Sequence, residues 1–136
     1  MKVNGQKKTT PKKTVLFFPG KDTPLKRYVS YFPTLILNTI GSGNEDVILC
    51  HSRGLFNAIQ YCHEHKISPL IVSMDGVQVN NVPEDVQVIS FRPEHKKDIG
   101  DEDIYHKTIY YTVNSKMSHH PYMDKTTRNK IIRELG

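Results

Sequence analysis

Short runs of β-branched, aromatic and other apolar residues recur along this chain, and helix-patterned stretches separate them. Such runs are typical of buried parallel strands, because helices cover both faces of a parallel sheet. The alternation therefore predicts a single three-layer α/β domain, with a mainly parallel sheet of about five strands and helices on both faces. We expect strands at residues 14–18, 46–50, 69–74, 86–91 and 107–113.

Helical spacing of apolar residues marks the stretches between and after these runs. Thr23 is suited to cap a helix, and Pro33 interrupts that helix before a second helical piece that ends at Gly41. Another helix is predicted over residues 55–62, and a last one follows Asp124. We therefore expect only helix and loop between the first strand and the second.

Two connections in this scheme are unusual. Only residues 75–85 join the third predicted strand to the fourth, whereas a parallel crossover normally takes a dozen or more residues and a helix. We expect either a bare loop there or an irregular pair of strands. The connection at residues 92–106 is longer but very polar, which predicts a loop or a frayed helix.

Composition bounds the domain organisation. The 136 residues, of which 37% are hydrophobic, suffice for one globular domain with one core. Part of the net charge of +5 comes from five lysines among the first thirteen residues, where we expect a disordered basic tail (residues 1–13) before the domain (residues 14–136). Such a tail either aids solubility or contacts nucleic acid or an anionic membrane, and no interleaving of aromatic with basic residues supports nucleic-acid binding.

The two cysteines and the lack of a long apolar run indicate the compartment. Cys50 and Cys62 fall on a predicted strand end and a predicted helix, which favours free thiols and a reducing, cytoplasmic location. No run approaches the ~20 apolar residues of a membrane helix, so we expect no transmembrane segment. We also expect no metal or cofactor, because His63 and His65 have no further ligand group nearby and fit a solvated helix end.

The segment Cys50-His51-Ser52-Arg53-Gly54 lies between the second predicted strand and the helix that follows it. A serine on such a sharp turn needs small residues two positions before and after it, because the strand and the helix approach closely there. Gly54 meets this requirement fully, and Cys50 adequately. Ser-x-Gly is common in ordinary turns, but this position between a buried strand and an amphipathic helix favours a nucleophile at Ser52.

Three segments, taken in order, resemble the α/β-hydrolase family. Residues 15–20 look like the strand that ends in His-Gly, with Pro19 replacing the histidine, and Cys50 stands at the first glycine of a Gly-x-Ser-x-Gly elbow. Residues 118–124 resemble the late Gly-His-x-Pro segment. The resemblance runs from residue 14 to the C-terminus and implies a larger sheet than we predict, so the chain looks like a trimmed, lidless version of the fold.

The resemblance implies a serine hydrolase that cleaves acyl esters or thioesters through an acyl-enzyme on Ser52. It assigns the base to His119, because Pro121 follows at the family's spacing, whereas the adjacent His120 is the rival. Without a lid the site should be open, which favours small-molecule or surface-presented lipid esters over a deeply buried acyl chain. The sequence does not indicate an oligomeric state.

The same resemblance implies an oxyanion site formed by the backbone N–H groups of Lys21 and Arg53, with Gly20 allowing close approach. The charged side chains of Lys21 and Arg53 either contact an anionic substrate or are simply solvated. His51 is poorly placed to be the base of its neighbour, so we expect it, like His120, to line the site.

The resemblance implies a catalytic triad of Ser52, a histidine and an acid, and the identity of the acid is open. The family usually places its acid a few residues after the strand before the last, where this chain reads Arg-Pro-Glu-His-Lys-Lys-Asp at residues 92–98. There Glu94 is close to the expected step and Asp98 is late. Some relatives carry the acid after the preceding strand, and Asp75 ends a predicted buried strand that would hold it rigidly. We rank Asp75 before Glu94, although Asp75 alternatively only caps the turn before Gly76.

A second function stays open beside the hydrolase. Pro19 and the lack of an acid at the usual position favour a non-catalytic module on the same fold, which would bind a protein partner or nucleic acid through its basic surface.

Overall fold

The computed structural model describes residues 12–97 and 104–136. In this part of the chain, one sheet contains strands β1 (Lys13–Phe18), β2 (Leu35–Asn38), β3 (Val47–His51), β4 (Leu70–Met74), β5 (Gln87–Pro93) and β6 (Lys107–Tyr111). The helices are α1 (Leu25–Tyr31), α2 (Gly54–His65) and α3 (Lys125–Glu134), with 3-10 turns at Glu94–Lys96 and Pro121–Met123. The strand order is β2-β1-β3-β4-β5-β6, and all neighbouring strands are parallel.

Both faces of the sheet are covered, because successive side chains of a strand point to opposite faces. One row of paired, buried residues packs with α2 and consists of Leu16, Ile48, Ile71 and Val88. The row next to it packs on the other face with α1 and α3 and consists of Phe17, Leu49, Val72 and Ile89. The predicted α/β domain with helices on both faces is confirmed, and its sheet is parallel throughout.

Strand β2 corrects two predictions. The described residues form six strands rather than about five, and a strand stands where we expected a second helical piece ending at Gly41. Leu35 is buried and Leu37 half-buried on the α1 side, whereas Ile36 is 49% exposed. This is the two-residue period of an edge strand with one covered face, but four residues are too few to distinguish it from a helix by pattern.

The other predicted elements are confirmed within a few residues of their boundaries, apart from the start of α1. Pro24 occupies the cap position of α1 and no side chain caps it, so the prediction of Thr23 as cap is wrong. The last helix begins as predicted after Asp124, whose carboxylate accepts a hydrogen bond from the N–H of Thr127 at 2.9 Å. Strand β1 begins at Lys13, and residues 1–11 of the predicted tail lie outside the described residues.

The short crossover between β4 and β5 is a loop without a helix, and the two strands pair in regular parallel register. Val79 and Val86 of this loop are buried against the α2 side of the sheet, so the loop covers the apolar surface that a helix would otherwise cover. In the next connection, residues 94–96 form a 3-10 turn and residues 98–103 are not described.

Both cysteines are free thiols, as predicted, and both are buried. They lie in the core between the sheet and α2, where burial raises the thiol pKa of Cys62 to about 11 and that of Cys50 to about 12. Across residues 12–97 and 104–136, no helix has the length and apolar character needed to cross a membrane.

Candidate active site

Ser52 directly follows β3 and has a φ of 56°, in the left-handed region that side chains other than glycine rarely adopt. Its N–H donates to the carbonyl of Met74 at the end of the neighbouring strand (3.0 Å), and its carbonyl accepts from the N–H of Val77 (3.1 Å). A Cβ at Gly54 would collide with the carbonyl oxygen of Phe18. The turn is therefore the tight strand-to-helix turn that the sequence predicts, and Gly54 is needed for its close approach to β1.

Asp75 occupies the corresponding position one strand along, directly after β4. It also has a positive φ (44°), and its side chain is 3% exposed. One carboxylate oxygen lies 2.6 Å from Nδ1 of His119, and the other accepts a hydrogen bond from Nζ of Lys96 at 2.8 Å. Burial alone would raise the pKa of this carboxyl, but the hydrogen bonds from His119 and Lys96 outweigh burial and hold the pKa below its usual value.

Glu94 and Asp98 are the two other candidates for the acid. Glu94 is exposed in the 3-10 turn after β5, and no hydrogen bond or ion pair joins it to a histidine in the described part of the chain. Asp98 lies outside the described residues. Of the residues that the structure describes, Asp75 is thus the carboxylate bound to the ring of His119.

The loop between β6 and α3 holds His119 in place. The hydroxyl of Tyr111 donates to the carbonyl of Ser118 at 2.6 Å, and the N–H of His120 donates to the carbonyl of Met117 at 2.9 Å. The His119 side chain is half-exposed and lines the same cavity as Ser52. The hydroxyl of Ser52 makes no hydrogen bond to His119 or to any other described residue, so it is available to a ligand in the cavity.

His120, the predicted rival, has a different environment. Its Nδ1 lies 2.8 Å from the hydroxyl of Tyr122, and no described carboxylate binds its ring. Burial, together with the nearby His119 and Arg27, lowers the pKa of His120. It lines the cavity beside His119.

A chain of hydrogen bonds through Tyr28 connects the backbone at Gly20, the ring of His51 and the loop that carries His119. The N–H of Gly20 donates to the hydroxyl of Tyr28 at 2.9 Å, and that hydroxyl lies 2.7 Å from Nδ1 of His51. Nε2 of His51 lies 2.6 Å from the carbonyl of His119 and must donate to it, so Nδ1 accepts from Tyr28. Burial lowers the pKa of His51 to about 4, which keeps the ring neutral and in this tautomer near neutral pH. We call Gly20, Tyr28, His51 and the His119 carbonyl the buried relay.

The predicted oxyanion donors lie at the cavity. The N–H groups of Lys21 and Arg53 make no hydrogen bond to a described residue, and both residues line the cavity next to Ser52. A Cβ at Gly20 would lie 2.9 Å from Nδ1 of His51 and 3.2 Å from the hydroxyl of Tyr28. Glycine is therefore required where the backbone passes over the buried relay.

Two residues that hydrogen-bond within the site, Tyr28 and Lys96, were not predicted from the sequence. Tyr28 falls on the apolar face of a helix, where a core role is the ordinary interpretation, and Lys96 lies in a very polar connection. The signal that could have found Tyr28 is its hydroxyl, because a tyrosine on a buried helix face needs a hydrogen-bond partner.

The cavity beside Ser52 has a volume of about 480 Å³. It is lined by Gly20, Lys21, Asp22, Thr23, Arg27, His51, Ser52, Arg53, His119 and His120. Another cavity, next to Phe56 and Ile59 of α2, contains none of these residues. Within the described ranges, no group of three or more His, Cys, Asp or Glu side chains is arranged to hold a metal ion.

Comparisons of the chain with protein-family models, with curated proteins and with solved structures found no match.

Proposed function

We propose that this protein is a serine hydrolase that cleaves acyl esters or thioesters through an acyl-enzyme on Ser52. The observation that carries the proposal is the 2.6 Å contact between His119 and Asp75, two residues 44 positions apart in the chain. A neutral imidazole with a carboxylate behind its Nδ1 and a serine at the same cavity is the arrangement that general-base catalysis by histidine requires.

The strand order supports a relationship to the α/β hydrolases. The resemblance implies a strand between the segment that carries Lys21 and the strand that precedes the serine turn. In this chain, β2 lies between Lys21 and β3. The serine turn follows β3, Asp75 follows the next strand of the sheet, and His119 follows β6. Polar residues at the carboxyl ends of parallel strands meet at one edge of a sheet, which is where such folds bind ligands.

In the proposed reaction, Nε2 of His119 takes the hydroxyl proton of Ser52 as the serine oxygen bonds to the acyl carbon. The N–H groups of Lys21 and Arg53 bind the negative oxygen of the tetrahedral intermediate. The intermediate collapses, and the alcohol or thiol leaves with the proton from His119. A water then attacks the acyl-serine with His119 again as base, and the acid and free Ser52 are released.

Asp75 has two roles in this scheme. It keeps the proton of the neutral ring on Nδ1, so that Nε2 faces the serine as an acceptor, and it stabilises the imidazolium that forms during attack. Lys96 holds the second oxygen of Asp75 and thereby keeps the carboxylate ionised and fixed in direction.

Labelling with a fluorophosphonate probe, read by intact mass, tests the proposal. The probe should add once to the wild type, not at all to Ser52→Ala, and once to Ser68→Ala, a matched substitution of an exposed serine away from the site. An unlabelled wild type, or an adduct that persists in Ser52→Ala, would refute the hydrolase.

The alternative is a non-catalytic module that binds nucleic acid or a protein partner, and the exposed cations at the cavity favour it. A salt-sensitive gel shift together with no esterase activity would support this function instead. With either function, we propose a cytoplasmic location, because the two cysteines are free thiols and the cytosol keeps thiols reduced.

A further inference from the structure

We propose that the substrate carries an anionic oxygen group, a carboxylate or a phosphate, close to its scissile acyl bond. This inference rests on the proposed hydrolase function and extends it to the class of substrate. It comes from the charges of the cavity and from its mainly polar lining, which the catalytic scheme does not use.

Three cations from three different segments line the cavity: Lys21 after β1, Arg27 in α1, and Arg53 at the start of α2. Their side chains are exposed, and none forms an ion pair or a side-chain hydrogen bond with a described residue. Asp22 is the one carboxylate among the lining residues. The cavity therefore attracts an anion, and its cations have free donors with which to bind one.

The other lining residues do not suit a hydrocarbon. The ten residues around the cavity include no aliphatic, phenyl or phenol side chain. A long acyl chain would contact mainly polar groups there, so the cavity offers it little apolar surface to cover. A charged acyl or leaving group instead matches the polarity of the cavity.

The cations are also close to the reacting atoms. Lys21 and Arg53 are the residues whose backbone N–H groups we assign to the oxyanion, and their side chains extend from the same positions. A substrate held at Ser52 thus shares the cavity with the cationic side chains of both residues. Such groups act in binding and in the transition state alike, and salt weakens their effect because they are exposed.

A matched pair of esters tests the charge preference. The mono-4-nitrophenyl ester of adipate has one carboxylate more than 4-nitrophenyl hexanoate and the same chain length. We expect kcat/KM to be about tenfold higher for the adipate ester at low ionic strength, with the advantage lost at high salt. Arg27→Gln should reduce the ratio of the two kcat/KM values, Asp22→Asn should increase it, and Lys26→Gln, which removes an exposed charge of the same helix outside the cavity lining, should not change it.

The outcomes separate the two proposals. A ratio near one in a wild type that the fluorophosphonate labels at Ser52 would refute the anionic substrate alone, and so would an equal reduction by Lys26→Gln and Arg27→Gln. A wild type without labelling would refute the hydrolase. Protection of Ser52 from labelling by inorganic phosphate or by glutarate identifies which anion the site prefers, and protection by neither would also refute the anionic class.

Discussion

The candidate site has two halves that differ in how their side chains are held. In the buried half, Tyr28, His51 and Asp75 are almost inaccessible and each is hydrogen-bonded on two sides. In the exposed half, Lys21 and Arg53 reach into solvent without a described partner. In the proposed hydrolase, the buried half fixes the direction of proton transfer, and the exposed half selects the charge of the substrate.

The largest effect is expected on kcat, from a change at Asp75, which joins the buried half to His119. Asp75→Asn keeps the size of the side chain but removes the charge that stabilises the imidazolium, so kcat for ester hydrolysis should fall on the order of 10⁴-fold. Glu94→Gln is the matched control and should leave kcat within about twofold, because this side chain is exposed and unconnected to His119. Similar losses in the two variants would remove Asp75 from the triad.

The second effect is on stability and comes from His51. Its pKa is about 4 in the folded state against 6.5 in the unfolded chain, so the unfolded state binds a proton first as the pH falls. The free energy of unfolding should decrease from pH 6.5 to about 4 by up to ~3 kcal/mol. Asp75, whose pKa is lowered, contributes stability that is lost only at still lower pH.

Urea denaturation across this pH range measures the His51 effect. His51→Gln should have a flatter pH dependence than the wild type, whereas His63→Gln, a substitution of an exposed histidine in α2, should keep the wild-type slope. A slope that is the same in all three proteins would show that His51 is not the group that titrates.

A third prediction concerns the junction of the two halves at Gly20. Gly20→Ala brings a methyl group within 2.9 Å of Nδ1 of His51 and so displaces the segment that carries the N–H of Lys21. We expect kcat to fall on the order of a hundredfold, the typical cost of one misplaced oxyanion donor. Stopped-flow measurement of acylation checks this result, and an unchanged acylation rate would argue against an oxyanion role for this segment.

The smallest effect is expected within the buried relay. Tyr28→Phe leaves the N–H of Gly20 and Nδ1 of His51 without their partner, which should lower kcat about tenfold and stability by about 1–3 kcal/mol. Tyr31→Phe, one turn along the same helix, is the control, because no described residue hydrogen-bonds to its hydroxyl. Equal effects of the two changes would mean that the relay does not position the site.

A local pattern of apolar residues predicts a strand correctly where the run is long enough to distinguish a strand from a helix. The runs around Leu49 and Val72 are continuous and apolar, and they form the central strands where the sequence predicts them. The four residues of β2 are not long enough, and they become a strand because Lys13 to Leu16 of β1 offer a free edge for pairing. The pairing partner lies outside the local window, so the pattern alone favoured a helix.

The sequence by itself determined the alternation of strands and helices and the tight turn at Ser52, because both depend on neighbouring residues and on the lack of a side chain at Gly54. Only the tertiary structure decided between Asp75 and Glu94 as the partner of His119, since that contact joins two loops through the order of the strands in the sheet. It also brought Tyr28 and Lys96 into the site. The reason is physical: a hydrogen bond between distant segments depends on where the fold places their backbones, which no local spacing of residue types specifies.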